Sequence, residues 1–425
     1  MFFYKYRKSF AEILIAYDGV KNTILCGMRR VAILTAGGIA PCLSSAIAAL
    51  IQEYDKVSPE IEMICYRDGY KGLLLGDSVN VTHGTVESAE ILYKFGGSPI
   101  GNSRVKLTNV EDCVKRGFIK EGQIPLNVAA EQLVKDKIDV LHTIGGDDTN
   151  TVAAELARYL EENGYKLQVI GLPKTIDNDI IPIAHSLGAN TAAEQTAVFF
   201  EHIVAETTAN PKMFIVHEVM GRKCGWLAAV SAVLYTKRLQ EREFISSLGM
   251  SKEKYSIHGI YVPEMQIDIE KEATRLAEIM ETVGCVNIFV SEGACVDEIV
   301  SSIEAGGESV PRDAFGHVKL DFVNPGQWFG SQFAKRINAE KVLVQKSGYF
   351  ARSAPSNLYD IALINDSAAM AVKCATNGES GVIGLDEEDE NQMACIDFQR
   401  IKGGRPFNVH KNMEFVNLLR QIGQL

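Results

Sequence analysis

The sequence is short of positive charge. Its 425 residues hold 43 Lys and Arg against 54 Asp and Glu, a formal net charge of −11. That deficit argues against nucleic acid held on a broad basic surface and against a polybasic membrane anchor. A small anionic substrate is still allowed, because local charge can oppose the average. No apolar run reaches the ~18 residues of a membrane span. The nine cysteines include no Cys-x-x-Cys pair, and their count is odd. We read them as reduced thiols of a cytoplasmic chain. The eight histidines form no His-x-x-x-His pair, which leaves no familiar zinc spacing. No Gly-x-Gly-x-x-Gly follows the first apolar strand, so a hydride-transfer enzyme lacks support. There is no low-complexity stretch and no solenoid period.

What is present is an alternation of apolar strands and helices over a length that exceeds one core. Residues 1–28 lack a secretory h-region and are expected to be an upstream extension or an over-called start, since Met28 opens a segment that reads like a natural start; the alternative is an amphipathic targeting or interaction helix. From there the pattern predicts strands at 30–35, 138–144, 167–172, 213–218, 259–263, 286–291 and 341–345, with a first helix over 44–54. This implies an α/β fold with mostly parallel sheets. Ligands of such sheets bind at the carboxyl ends of strands, where every unusual loop of this chain falls.

Three of those loops carry chemistry. Gly37 and Gly38 end the first strand and open a helix, which suits either a phosphate cradle or a plain tight turn. The run Gly145-Gly146-Asp147-Asp148-Thr149 puts two acids at the mouth of an anion site. Carboxylates repel phosphate unless a cation lies between them, so Asp147 is expected to hold Mg²⁺ beside a cradle that includes Gly146; the alternative is that Asp148 or Thr149 merely caps the next helix. In Lys174-Thr175-Ile176-Asp177-Asn178-Asp179, an extended segment would point Asp177 and Asp179 to one side, as a base with a positioning partner; the alternative is an Asx-rich turn. Cations recur at strand ends or in glycine-rich loops: Arg104 and Lys106, Arg222 and Lys223, Lys346 and Arg352. Together they favour an anion site.

The blocks Thr-Ala-Gly-Gly (35–38), Gly-Gly-Asp-Asp (145–148), Pro-Lys-Thr-Ile-Asp-Asn-Asp (173–179), Met-Gly-Arg (220–222), Pro-Glu (263–264) and Tyr-Phe-Ala-Arg (349–352) closely resemble the phosphofructokinases, in the family's order. Segments 96–109 and 344–350 resemble its pyrophosphate-dependent branch. The resemblance implies two Rossmann-like domains with the active site in the cleft between them. Residues 29–188 with about 351–405 would form the pyrophosphate and Mg²⁺ side, and 189–350 with a C-terminal segment the fructose 6-phosphate side. It implies a cytoplasmic homodimer acting on these two small molecules, with Mg²⁺ and with neither nucleic acid nor membrane as partner.

Residue by residue, the resemblance makes Asp147 the metal ligand and Asp177 the base that takes the C1 hydroxyl proton, with Asp179 beside it. Gly37, Gly38, Arg104, Lys106, Gly146, Asp148 and Lys174 would meet pyrophosphate, with Arg104 and Thr175 also serving the transfer itself. Thr175, Met220, Gly221, Arg222, Glu264, Lys346, Tyr349 and Arg352 would meet the sugar phosphate. ATP-using relatives usually carry glycine where this chain has Asp148 and Lys174. A carboxylate at 148 would clash with an α-phosphate, and a cation at 174 suits compact pyrophosphate. The rivals are an ATP-dependent phosphofructokinase, another kinase class sharing Gly-Gly-Asp, and a non-catalytic regulatory subunit. The last is disfavoured by an intact Asp177.

Overall fold

The computed structural model describes residues 28–311, 318 and 320–425. The proposed extension, but for Met28, lies outside them. Eleven strands follow in chain order: β1 (Arg30–Thr35), β2 (Glu62–Tyr66), β3 (Ser78–Asn80), β4 (Val140–Gly145), β5 (Gln168–Pro173), β6 (Met213–Val219), β7 (Gly259–Tyr261), β8 (Cys285–Ser291), β9 (Lys341–Lys346), β10 (Gly381–Asp386) and β11 (Gln392–Ile396). They build two sheets, ordered β11-β10-β5-β4-β1-β2-β3 and β7-β8-β6-β9. The smaller sheet is wholly parallel; the larger has five parallel strands with β3 and β11 antiparallel at its edges.

Helices cover both faces of each sheet, which is why the central strands read as unbroken apolar runs. Strand β1 serves two cores by period-two alternation. Val31 and Ile33 join a cluster with the helices Leu43–Val57 and Leu358–Asn377. Ala32 and Leu34 face Leu133 and Leu156 on the other side. In the second sheet Ile215 and Phe214 divide in the same way. The chain's last helix, Met413–Gln421, packs Phe415, Leu418 and Leu419 into a core of this second sheet.

A buried hydrogen-bonded contact joins a helix of the first core to a helix of the second. Asp360, fully buried in the first turn of Leu358–Asn377, accepts from Thr191 N at 2.8 Å and Thr191 Oγ1 at 2.5 Å in the first turn of Ala189–Ile203. All seven strands expected from the sequence are present. β2, β3, β10 and β11 add to them. No helix among the described residues is long and apolar enough to cross a membrane.

Candidate active site

The loops after β1, β4 and β5 converge. Gly37 has φ +91°, a conformation side chains rarely adopt, and its amide donates to Ser103 O at 2.9 Å. Asn102 Nδ2 donates to Gly37 O at 2.6 Å, so the 96–106 loop is laced onto the β1 turn. Arg104 Nη2 lies 3.6 Å from the place a Cβ on Gly38 would take. Lys174, 4% exposed, runs beneath these glycines and donates from Nζ to Gly38 O at 2.5 Å. Burial pushes its pKa down to about 8, with the Arg104 charge pushing the same way and Cys42 opposing.

The two glycines after β4 play different parts. A Cβ on Gly145 would overlap the Thr149 side chain, so packing explains it. A Cβ on Gly146 would meet nothing nearer than Lys174 O at 3.9 Å, so packing does not require that glycine. Gly146 is itself the N-cap of the helix Asp147–Glu162 and is extended; no side chain caps it. The capping alternative for Asp148 or Thr149 therefore fails. Asp147 and Asp148 open that helix, and Lys106 Nζ meets Asp148 Oδ2 at 2.6 Å.

The segment after β5 departs from expectation. It is not extended: it bends at 176–177, and Asn178 is left-handed with φ +52°. Asn178 locks the turn by donating to Ala184 O at 3.1 Å and accepting from Ser186 N at 2.8 Å. The two acids still meet, through a turn rather than through strand alternation. Thr175 Oγ1 bridges them, accepting from Asp177 N and donating to Asp179 Oδ1, each at 3.2 Å. Oδ1 of Asp177 is buried and accepts no hydrogen bond. Burial first, then Asp179 and Glu292, raise the Asp177 pKa to about 7. Asp179 is also raised, by burial and by the Asp147 charge, while Thr175 opposes.

On the second sheet, Met220, Gly221 and Arg222 leave β6. Gly221 has φ +128°, its amide donates to Glu292 at 3.3 Å, and its carbonyl accepts from Ser291 at 2.6 Å. Met220 packs where a Cβ on Gly348 would sit. Arg222 donates to Val318 O. Glu264 accepts from the amides of Gly225 and Phe407, at 3.0 and 2.7 Å through Oε1, which pins its carboxylate. Lys346 ends β9 and pairs with the buried Glu218 at 2.8 Å. The Arg352 guanidinium stands 4.5 Å from the ring centre of Tyr349, which is 76% exposed.

The phosphofructokinase family model matches residues 30–375. The chain belongs to the phosphofructokinase family. Pyrophosphate–fructose 6-phosphate 1-phosphotransferase from Methylotuvimicrobium alcaliphilum is 62% identical over 93% of this chain and 97% of its own. The enzyme of that name from Mastigamoeba balamuthi is 58% identical over the same shares. Among solved structures, the pyrophosphate-dependent phosphofructokinase from Marinobacter aquaeolei superposes with a TM-score of 0.67 at 18% identity, covering 93% of this chain and 91% of that one, which speaks for the fold alone.

Sequence reasoning missed part of the candidate site. Gly403 lies so close to Asp147 that a Cβ would overlap the carboxylate. Arg405 N donates to Asp179 O at 2.9 Å, and its guanidinium binds the carbonyls of Ile180 and Ile183. Residues 402–405 thus form a strap along the acids. Glu292 was missed too, although it directly follows the expected strand at 286–291. Gly403→Ala should displace Asp147; with Asp147 as the expected Mg²⁺ ligand, the Mg²⁺ concentration for half-maximal rate should rise about tenfold or more. A Mg²⁺ titration at saturating substrates measures this, and an unchanged midpoint would mean the strap does not position Asp147.

Proposed function

We infer that the protein transfers a phosphoryl group reversibly from pyrophosphate to the C1 hydroxyl of D-fructose 6-phosphate, giving fructose 1,6-bisphosphate and phosphate. The observation that carries the chemistry is Asp177: a buried carboxylate with one oxygen unpartnered, at the end of β5, held near Asp179. Asp177 takes the C1 proton as the hydroxyl oxygen attacks the terminal phosphorus and the bridging P–O bond breaks. Transfer through a loose transition state asks for late proton removal and for positioning, not early ionisation. Arg104 and Lys174 hold the phosphoryl oxygens with the backbone of Gly37, Gly38 and Gly146, and Lys106 and Asp148 stand together at the pyrophosphate end. Thr175 keeps the two acids in register. Met220, Gly221, Arg222 and Glu264 shape the sugar pocket, and Lys346, Tyr349 and Arg352 receive the 6-phosphate.

The residues fit Mg²⁺. Asp147 presents a hard oxygen donor at a helix start, within electrostatic reach of Asp179, and glycine at 403 leaves it room. Bound there, the ion supplies charge neutralisation on the phosphate oxygens.

The larger sheet with the helix Leu358–Asn377 supports the pyrophosphate side as 29–188 plus about 351–405, and the core that takes in Phe415 supports a sugar side of 189–350 plus the C-terminal segment. A cytoplasmic homodimer completes the reading. The exposed apolar side chains Phe95, Phe350 and Leu358 support the dimer.

The deciding experiment is a coupled assay of fructose 1,6-bisphosphate formation with pyrophosphate or ATP supplied separately. Turnover with pyrophosphate and Mg²⁺ is expected. Turnover with ATP alone would overturn the reading.

A further inference from the structure

Away from the cleft, three side chains distant in sequence come together. Cys374 lies in the last turn of the helix Leu358–Asn377, Glu379 in the link to β10, and Cys395 on β11. One ligand atom from each, two sulfurs and a carboxylate oxygen, lies within 4.8 Å of the other two. A tetrahedral zinc ion with Zn–S bonds of ≈ 2.3 Å holds its sulfurs about 3.8 Å apart, so the spacing suits one ion.

Local structure builds this cluster. Gly378 ends the helix in the left-handed region, φ +78°, and turns the chain back so that Glu379 N donates to Cys374 O at 2.9 Å. Asn377 Nδ2 donates to Glu379 Oε1 at 3.3 Å and orients the carboxylate. Cys395 pairs with Ile383 across the hairpin. A Cβ on Gly381 would stand 2.7 Å from the Cys395 sulfur, so glycine there lets the thiol reach the helix end. Cys374 is buried, Cys395 half-buried and Glu379 exposed, which leaves a fourth position to water.

We propose that Cys374, Glu379 and Cys395 bind a borderline-soft divalent cation of the zinc class and staple the helix end to the β10–β11 hairpin. Cation binding there displaces the two thiol protons. The two sulfurs and the borderline-soft preference separate this site from the hard carboxylate of Asp147. So does its place. It lies where β10 begins, by Gly381 and Ile170, whereas the catalytic loops leave the opposite ends of the strands. The role is therefore structural.

The test uses the full chain, reduced, stripped with a chelator and refilled with excess Mg²⁺. Titration with Co²⁺ should give a sulfur-to-cobalt charge-transfer band saturating at one equivalent and displaced by Zn²⁺. Cys395→Ser should lose the band while keeping its activity with pyrophosphate. Glu379→Gln, an exposed change that cannot endanger the core, should keep the band and weaken Co²⁺ binding about tenfold or more. The absence of a band in the unaltered protein, a band unchanged in Cys395→Ser, Co²⁺ affinity unchanged in Glu379→Gln, or isolation of Cys374 and Cys395 as a disulfide that takes no metal would each overturn the proposal.

Discussion

Asp177→Asn is expected to lower kcat by ~10²–10⁴, the usual worth of general base catalysis, with little change in the KM for fructose 6-phosphate. The lost interaction is made mainly in the transition state, so substrate affinity is spared. Asp177→Ser should behave alike. As the proposed base, Asp177 should also set a pH limb. Burial, with Asp179 and Glu292, raises its pKa to about 7, so kcat/KM in the direction of bisphosphate formation should fall as pH drops through 7, and that limb should vanish in the variant.

A stability effect of the opposite sign accompanies the loss. The folded pKa lies above the unfolded value of 3.8, so the folded state binds more protons between pH 3.8 and 7. Stability is therefore lost as pH rises through that window, and the cost is fully present above 7. At ~1.4 kcal/mol per unit it amounts to at most about 4 kcal/mol. Asp177→Asn removes it, so the variant should melt higher than the parent at pH 8 and converge with it near pH 4. Residual kcat within about tenfold of the parent, or an acid limb that survives the substitution, would rule out Asp177 as the base.

The second large effect concerns the donor. Asp148→Gly with Lys174→Gly should lower kcat/KM for pyrophosphate by ~10²–10³, the scale of losing one preorganised charge-stabilising donor, and open the site to ATP. Lys174 is the stronger half of this pair. It is enclosed, it points at Gly38 O, and a deprotonated amine there cannot hold phosphate. Burial lowers its pKa to about 8, so kcat/KM for pyrophosphate in the parent should fall again above pH 8. With the Asp177 limb this makes a narrow bell. Lys174→Met should remove the alkaline limb. If pyrophosphate kcat/KM in the double variant stays within a few-fold of the parent, the donor preference does not reside in these two positions.

Much of this site was legible because its residues sit where strands end. Asp147, Lys174, Asp177 and Met220 each follow an apolar strand, and a parallel sheet brings such points together without further information. β1 was legible because it is buried on both faces and reads as one run. β3 was not, being three residues long, half-exposed and at an edge. β10 and β11 lie beyond a long helix with no motif to flag them. Gly403 was invisible for another reason. Its worth is the absence of a side chain against Asp147, and nothing in Lys-Gly-Gly-Arg distinguishes that from an ordinary loop. The geometry of 173–179 is the turn kept as the alternative rather than the extended segment, since Asn, depleted in strands, readily takes the left-handed conformation of Asn178. The acids met regardless, because Thr175 ties Asp179 to the amide of Asp177.

The order of the larger sheet also dictates when the enzyme can exist. β5 ends at Pro173, yet its neighbour β10 begins at Gly381, and residues 174–380, including the whole second sheet, are synthesised between them. While the ribosome makes that stretch, one edge of β5 has no strand beside it and Asp147 has no strap. Such an edge is a template for wrong pairing. The window of exposure to wrong pairing therefore stays open while 174–380 are made, and closes only when β10 and the 402–405 strap emerge.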